Sequence, residues 1–575
     1  MLAVSLLALA AAAGATPVQQ VVFGGSLQDT LASVNELPKI PHHKFNPLDH
    51  MSGIAPYHDA PNADVSPPPQ CQVAAAAFLV RHSSIYANDD EYADYMEPFI
   101  ARVYSAQERN VPVLDQSPLK FLKDWRSVVN ETNLEDITPS GKDDARELGR
   151  RFRKLYGDLM PPEHLGKRKG DLASWLKNGK NGKKGGKKHK GKKGDKVKTP
   201  FKVWSASSER DVETSKSFVQ GAFPHWQAGH GNGGGEGDGK YIQLVAVKNK
   251  DPDWAHSLTP HKICDAFTKE SGKPHAQQWL ETWGLAVLDR LNAHAPGWDF
   301  ELNDVIAMFM LCGYETVISG AKTPSSPFCS ANLFSPEEFR AFGYHQDLLY
   351  HYMVGYGAPT APYLGVQWLN ISTHNLLAAY APDPHPNVTM PTSPSLVSRL
   401  SSFVTGSKPK LPPPSNPPDA THTQLLYVYF THREEPPVAL TALGLWNTST
   451  EDLPSTMMPK DRMWKTSHLL PFLGHVAIER LHCEADEDQL APASSPSSWR
   501  TVLPSFGNDH GKDRPRPTHP RKDYVRILVN GAPQQLPSCH DGPGGTCRLA
   551  DFEKFVRQRT EEFSDFEGAC KKDDE

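Results

Sequence analysis

Long hydrophobic runs are missing from this 575-residue sequence beyond its first 15 residues. No later run approaches the roughly 20 apolar residues of a transmembrane helix, so a helical membrane protein is not expected. The net charge is −5, so there is no basic excess and nucleic acid is not expected as a partner. The eight cysteines form no CxxC pair and have no zinc-type spacing with histidine, so we expect no metal site.

The first residues, MLAVSLLALAAAAGATP, have the length and apolarity of a signal peptide. They end in small residues, so we predict that 1–15 is removed and that the protein is secreted, to the extracellular space or cell wall. An oxidising compartment favours four disulfides among the eight cysteines. Sequons for N-glycosylation agree with export and occur at Asn130, Asn370, Asn387 and Asn447.

Low-complexity segments interrupt the chain, which contains 51 prolines and 42 glycines. Residues 167–198 form a Lys/Gly-rich tract without apolar periodicity, and we predict disorder because little surface can be buried there. The Gly-rich stretch ending at Gly239 and the segments 405–420 and 491–522 are predicted to be flexible for the same reason. For the Lys-rich tract, a polyanion ligand is the less favoured alternative to a solvated loop.

Strand and helix patterns alternate between these segments. Gln72–Val80 and Gln424–Phe430 are short apolar runs, typical of strands that are buried on both faces. Helices are predicted to begin at Thr138 or Ser140 and at Ser335, because these residues are good caps before an apolar helical pattern. Strands that alternate with helices indicate an α/β sheet.

Basic side chains accompany three of the strand-like runs. They are Arg81 and His82 after AAAAFLV, Arg210 in VWSASSERDVETSKSFVQGAF, and His432 and Arg433, followed by Glu434 and Glu435, after QLLYVYFT. If the three runs lie in one parallel sheet, their ends converge on one edge. Arginine matches phosphate oxygens, histidine can attack phosphorus and a carboxylic acid can protonate a leaving alcohol, so this set favours phosphate-ester chemistry.

These stretches, in this order, resemble the histidine acid phosphatases, the branch 2 of the histidine phosphatase superfamily that contains fungal phytases. LCGYETVISGAKTPSSPFCSANLFSPEEF and YVRILVNG extend the resemblance, which runs from about Cys71 to Cys570. It implies a doubly wound, mostly parallel α/β sheet flanked by helices, with a smaller helical domain inserted. The core would comprise 66–250 and 366–570, and the mainly helical domain 251–365.

The resemblance also implies residue roles. His82 would be the nucleophile that forms a phosphohistidine, Arg81 and Arg210 would hold the phosphate, and His432 would hydrogen-bond a phosphoryl oxygen. Four disulfides are implied as well: Cys71 with Cys483, Cys264 with Cys570, Cys312 with Cys329, and Cys539 with Cys547.

Two departures from the family pattern concern the phosphate site and the acid. The first motif of the family reads Arg-His-Gly-x-Arg, but Ser83 and Ile85 stand here, so one phosphate ligand is missing and Arg433 is the candidate substitute. The late His-Asp motif of the phytases is replaced by His-Arg-Glu-Glu. Glu434 matches the His-x-Glu spacing of a related inositol polyphosphate phosphatase branch and is the expected proton donor, with Glu435 in reserve.

The sequence therefore predicts a secreted acid phosphatase that acts on small phosphomonoesters without a cofactor, with phytate and other inositol phosphates as candidate substrates. The alternative is a catalytically impaired relative that binds anions or a partner without turnover, which the missing arginine favours. Mutase chemistry, known in the wider superfamily, is disfavoured by the signal peptide and the sequons.

Overall fold

The computed structural model describes residues 45–161, 200–224, 242–250, 258–378, 424–447, 453–484 and 521–572. The predicted signal peptide, the Lys/Gly-rich tract, the Gly-rich stretch, the segment 405–420 and Asn387 lie outside these residues, as does nearly all of 491–522.

A mixed eight-stranded sheet has the order β3-β2-β4-β1-β5-β6-β7, with β8 paired to β6. The strands are β1 (Cys71–Arg81), β2 (Phe201–Ala206), β3 (Ile242–Val247), β4 (Leu426–Thr431), β5 (His475–Glu484), β6 (Arg521–Val529), β7 (Ala532–Gln534) and β8 (Cys547–Arg548). The first four strands in this order are parallel, whereas β5 to β8 pair antiparallel. Strands β1 and β4 are the two that the apolar runs predict, and they are neighbours.

The longer helices lie between and after the strands along the chain. They are α1 (Glu97–Glu108), α2 (Pro139–Tyr156), α3 (Glu209–Ala222), α4 (Lys273–His294), α5 (Leu302–Ile318), α6 (Pro336–Val354), α7 (Ala361–Ala378), α8 (Glu435–Leu443) and α9 (Leu549–Glu562). Thr138, rather than Ser140, caps α2, because its hydroxyl accepts the Gly141 N–H. Ser335 caps α6 in a reciprocal pair with Glu338, as predicted.

Helices cover both faces of the sheet. Alternate residues of β1 point to opposite sides, so that Ala76 and Phe78 pack with side chains of α2 and α3, whereas Ala77 and Leu79 pack with α6, α7 and α8. The predicted α/β class is confirmed. The described stretch 258–378, between β3 and β4, contains helices and no strand. The division of the chain into domains stays a prediction.

Disulfides join all eight cysteines in the pairs that the resemblance implies. Cys71–Cys483 links β1 to β5 at facing positions. Cys264–Cys570 ties the segment before α4 to the end of a short helix, Phe566–Ala569. Both pairs close loops of several hundred residues, which stabilises the fold mainly by limiting the unfolded chain.

Buried neutral histidines predict that the protein loses stability in acid. Burial lowers the pKa of His345 to about 3 and that of His475 to about 4. Unfolded histidines bind protons below about pH 6.5, so the stability that these two residues contribute is complete above that pH and is lost as the pH falls. For His345 alone, the loss between pH 6.5 and 4.5 is about 2 to 3 kcal/mol.

Chemical unfolding at these two pH values measures that loss directly. His345→Leu should reduce the difference in unfolding free energy between the two pH values by about 2 to 3 kcal/mol, because leucine does not titrate. A difference that is the same in the variant and the parent protein would contradict the assignment of a neutral buried His345.

Candidate active site

The three stretches that the sequence predicts to converge do meet at one edge of the sheet. Arg81 and Thr431 are paired at the ends of the parallel strands β1 and β4, and the His82 N–H donates to the Thr431 carbonyl at 2.9 Å. His82 and His432 therefore follow directly after the paired ends of two neighbouring strands. Strand β2 pairs with the other side of β4, and α3 follows it, which brings Arg210 to the same edge in the first helical turn.

His82 is a buried, neutral imidazole, of which 1% is exposed. Its Nδ1 lies 2.9 Å from the Ser83 carbonyl oxygen, which can only accept, so Nδ1 carries the hydrogen and Nε2 keeps the lone pair. Burial, followed by the positive charges of Arg210 and Arg81, holds the pKa of His82 well below its usual value. The ring is therefore in the form that can act as a nucleophile.

Arg81 presents hydrogen-bond donors that the described residues leave unpaired. Its Nη1 donates to the carbonyls of Gly53 and Leu470, the second at 2.5 Å, and its guanidinium lies 4.3 Å from the centre of the Phe472 ring. Its Nε and Nη2 are buried and have no partner among the described residues. Since a buried, unsatisfied cation is costly, these two nitrogens indicate a site for an anion.

Arg210 is held by a carboxylate on one side only. Its Nη1 donates to Glu135 at 2.6 Å, whereas its Nε is buried without a partner among the described residues. Glu135 has a φ of 61°, a left-handed conformation that is uncommon for residues other than glycine, and its N–H donates to the Ala87 carbonyl at 2.7 Å. Such strained residues often cluster at functional sites, and here Glu135 positions the guanidinium.

His432 is buried against a carboxylate that the sequence analysis missed. Its Nδ1 lies 2.9 Å from Asp211 Oδ2, an ion-pair distance without the alignment of a hydrogen bond, and Ser208 Oγ is 3.4 Å from its Nε2. Asp211 follows Arg210 directly in SSERDVETSKSFVQGAF. Its charge and its position inside that motif are the sequence features that could have identified it.

Arg433 is surrounded by carboxylates. It forms ion pairs with Glu91 and, at 2.9 Å, with Asp90, and its Nε lies 3.5 Å from Glu434 Oε1. These contacts already balance its charge, which weighs against Arg433 as the substitute phosphate ligand. Asp90 and Glu91 were not considered in the sequence analysis, although they follow the first motif by only a few residues.

Glu434 and Glu435 lie at the N-terminus of α8, where His261 joins them from the segment before α4. His261 Nδ1 is 2.5 Å from Glu435 Oε1, and its ring centre is 5.8 Å from that of His432. Burial alone would raise the pKa of Glu434. Positive charges outweigh that effect and hold its pKa well below the usual value; in decreasing order they belong to His261, Arg433, Lys269 and His432.

A metal ion could be held by the same three side chains. Ligand atoms of His261, Glu434 and Glu435 lie within 4.8 Å of one another, and all three residues are buried. Imidazole and carboxylate ligands would suit a divalent transition metal. Cationic neighbours, however, already compensate much of the acidic charge, and we assign no metal here.

Both departures in the first motif have structural roles. Ile85 is fully buried and forms an isolated bridge with Ile137, so its side chain packs in the core. The Ser83 hydroxyl donates to the Gly141 carbonyl at 2.6 Å, and the Ser83 N–H donates to the Thr214 hydroxyl at 3.0 Å. These bonds join β1 to the helices α2 and α3 directly behind His82.

The fold and this site define a class of protein. A profile of the family described as histidine phosphatase superfamily (branch 2) matches residues 192–530, which is more than half of the chain. The chain belongs to this family. The resemblance found in the motifs and the enzyme class that it implies, a histidine acid phosphatase, are thereby confirmed.

Individual relatives match nearly the whole chain. Phytase PHO112 of Candida albicans is 24% identical over 522 residues, covering 90% of this chain and 85% of the relative. Acid phosphatase PHO1 of Komagataella pastoris is 23% identical over 565 residues, covering 96% and 92%. The crystal structure of the phytase from D. castellii superposes with a TM-score of 0.59 at 20% identity, covering 90% of this chain and 86% of that one. This likeness supports the same fold.

The remaining sequence predictions concern the surface. Asn130 and Asn447 are exposed, whereas Asn370 lies half-buried within α7, and glycosylation at all of them stays a prediction. Among the described helices, none combines the length and apolarity needed to cross a bilayer.

Proposed function

We propose that this protein hydrolyses phosphomonoesters through a phosphohistidine on His82. The observation that carries the proposal is the pair of unpartnered, buried guanidinium nitrogens of Arg81 beside the lone pair of a neutral imidazole. Two oxygens of a phosphate group can accept from Arg81 while the phosphorus faces His82 Nε2. Arg210 Nε and His432 supply further donors for the charge that spreads over the transferred group.

The first step transfers the phosphoryl group to His82. Nε2 forms a bond to phosphorus as the bond from phosphorus to the ester oxygen breaks, and a protonated Glu434 gives its proton to that departing oxygen. The alcohol leaves, and Glu434 becomes a carboxylate. An incoming phosphate group is negative and raises the pKa of Glu434 toward the protonated form, so substrate binding helps to load the proton.

The second step restores the enzyme. Water attacks the phosphorus of the phosphohistidine while the Glu434 carboxylate takes a proton from that water. The bond from phosphorus to Nε2 breaks, inorganic phosphate leaves, and His82 is again neutral with its hydrogen on Nδ1. Neither step requires a metal or a cofactor.

Phytate and other inositol phosphates are the substrates that the relatives suggest, since two of those cited are phytases. Secretion is part of the proposal. It is supported by four disulfides, which persist in oxidising compartments, and by the apolar first segment.

One observation favours a second candidate function. Ile85 is buried where the family places a phosphate-binding arginine. Arg433, the candidate substitute for that arginine, is already held by carboxylates. A protein with this site could bind phosphate or a phosphorylated partner without turning it over. Such a protein would bind phosphate and release none from a phosphate ester.

Hydrolysis by the full chain tests the proposed function. We expect release of phosphate from p-nitrophenyl phosphate, glycerol phosphate and phytate at acid pH, with the rate unchanged by a chelator. Rapid quenching in base after mixing with labelled substrate should trap an acid-labile phosphate on His82. Phosphate binding by calorimetry, with no release from any of the three esters, would instead support the second candidate.

A further inference from the structure

We propose that His261 is a positioning residue: its charged ring holds Glu435 in a buried ion pair and leaves Glu434 as the carboxyl that delivers the proton. The inference deepens the proposed function and rests on it. It separates the roles of two adjacent glutamates that the sequence left open.

Glu435 is held by a short contact with His261. Glu435 is 1% exposed, and its Oε1 lies 2.5 Å from His261 Nδ1, which is itself buried. Glu434 is held more loosely among the described residues, with Arg433 Nε 3.5 Å from its Oε1. Both carboxyls lie at the start of α8, and Glu435 Oε2 is buried without a partner among the described residues. A proton on Glu435 would remove the negative charge of its buried pair with His261, whereas a proton on Glu434 leaves that pair intact.

The charges of the carboxylates and cations around Glu434 also favour this residue as the proton donor. Four carboxylates lie together, and two of them, Glu434 and Glu435, belong to the late motif; the other two, Asp90 and Glu91, hold Arg433. Among the groups directly paired with these carboxylates, those with a permanent charge are Arg433 and Lys269, which pairs with Asp90 at 3.1 Å. A proton on His261 leaves a single uncompensated negative charge within this paired set, which a proton on Glu434 neutralises. The paired set is thus neutral in the form that donates.

The pKa values of His261 and Glu434 depend on the charged groups around them. Burial alone would lower the pKa of His261, but the charge of Glu435 and the hydrogen bond to it outweigh burial and raise that pKa. Lys262, on the same segment, opposes this effect, and Glu434 supports it. The charge of His261 is in turn the largest of those that lower the pKa of Glu434. The remaining groups that face the cluster are Arg433, Lys269, His432, Asp90 and Tyr350.

The variant His261→Gln removes this charge and keeps a side chain that can donate to Glu435. Hydrolysis of an alkyl phosphate requires Glu434 in its protonated form, so the rate falls as the pH rises through the pKa of Glu434. Without the neighbouring charge that pKa rises, and the basic limb of the profile of kcat against pH should move to higher pH. Because Glu434 itself is retained, the rate at the optimum should fall far less than the about 10²- to 10⁴-fold cost of losing the acid.

His482→Gln is the matched control. His482 also pairs with a carboxylate, Asp523, but it faces Gln72 at the opposite end of β1 from Arg81, about 30 Å away. The control should keep both the rate and the pH profile. A His261→Gln profile with an unmoved basic limb, at an unchanged melting temperature, would overturn the proposal.

A second measurement does not depend on activity. In protein with ¹³C-labelled histidine, the His261 Cε1–H signal should titrate above the usual histidine range, and in Glu435→Gln it should titrate at lower pH. A His261 that is neutral near pH 6 in the parent protein would overturn the inference, whatever the activity. A charged His261 in a protein without turnover would uphold the pair while the proposed function fails.

Discussion

Replacing His82 by alanine is expected to lower kcat for every phosphomonoester by about 10⁴-fold or more, as for other nucleophiles that form a covalent intermediate. The imidazole follows directly after the end of β1, its Nε2 keeps the lone pair, and the charges of Arg210 and Arg81 act on it strongly enough to lower its pKa. Assays with labelled substrate should also show that no acid-labile phosphate is trapped.

Folding and binding controls separate loss of the nucleophile from loss of the site. His82→Asn keeps an N–H that can donate to the Ser83 carbonyl, and it should be as inactive as the alanine variant. Both variants should still bind inorganic phosphate, because Arg81 and Arg210 remain. Turnover within about tenfold of the parent rate in a folded variant would rule out covalent catalysis by His82.

Glu434→Gln is expected to have an effect that depends on the leaving group. Hydrolysis of glycerol phosphate should fall about 10²- to 10⁴-fold, because an alkoxide leaves poorly without a proton. Hydrolysis of p-nitrophenyl phosphate should fall much less, since p-nitrophenolate leaves without one. Measuring kcat for the two esters side by side gives a ratio that no general loss of structure would change.

Glu435→Gln provides the comparison. Glutamine has the same shape, and the amide oxygen can still accept from His261, so both esters should lose activity by a similar, smaller factor. The assignment of the proton donor would be wrong if Glu435→Gln, rather than Glu434→Gln, showed the dependence on the leaving group. Equal losses on both esters for Glu434→Gln would place the residue outside the chemistry.

Local patterns in the sequence predicted the parts of the fold that depend on neighbouring residues. The apolar run Gln72–Val80 became β1 with one residue added at each end, and Ser335 caps its helix as the capping pattern indicated. The convergence of Arg81, Arg210 and His432 followed from one further rule, that parallel strands end at the same edge. The antiparallel half of the sheet was not predicted, because strand direction depends on where long connections cross.

Contacts between distant segments explain what the sequence analysis missed. His261 belongs to no motif and reaches Glu435 across 174 residues of sequence. The carboxylates that neutralise Arg433 come from a short helix, Asp89–Glu91, that is far away along the chain. The sequence therefore could not show that Arg433 is already paired. Charge balance at a buried site is a property of the assembled elements, and motif spacing does not report it.

The bond between Cys264 and Cys570 has a practical consequence for making this enzyme. Cys264 stands three residues after His261, so the covalent tie to the carboxyl end of the chain anchors the backbone that presents this ring. Material produced in a reducing cytosol could assemble the sheet and still present His261 loosely. Preparations from different hosts would then have different pH profiles of activity even where their melting temperatures agree. A titration of free thiols would show which preparations lack the disulfide.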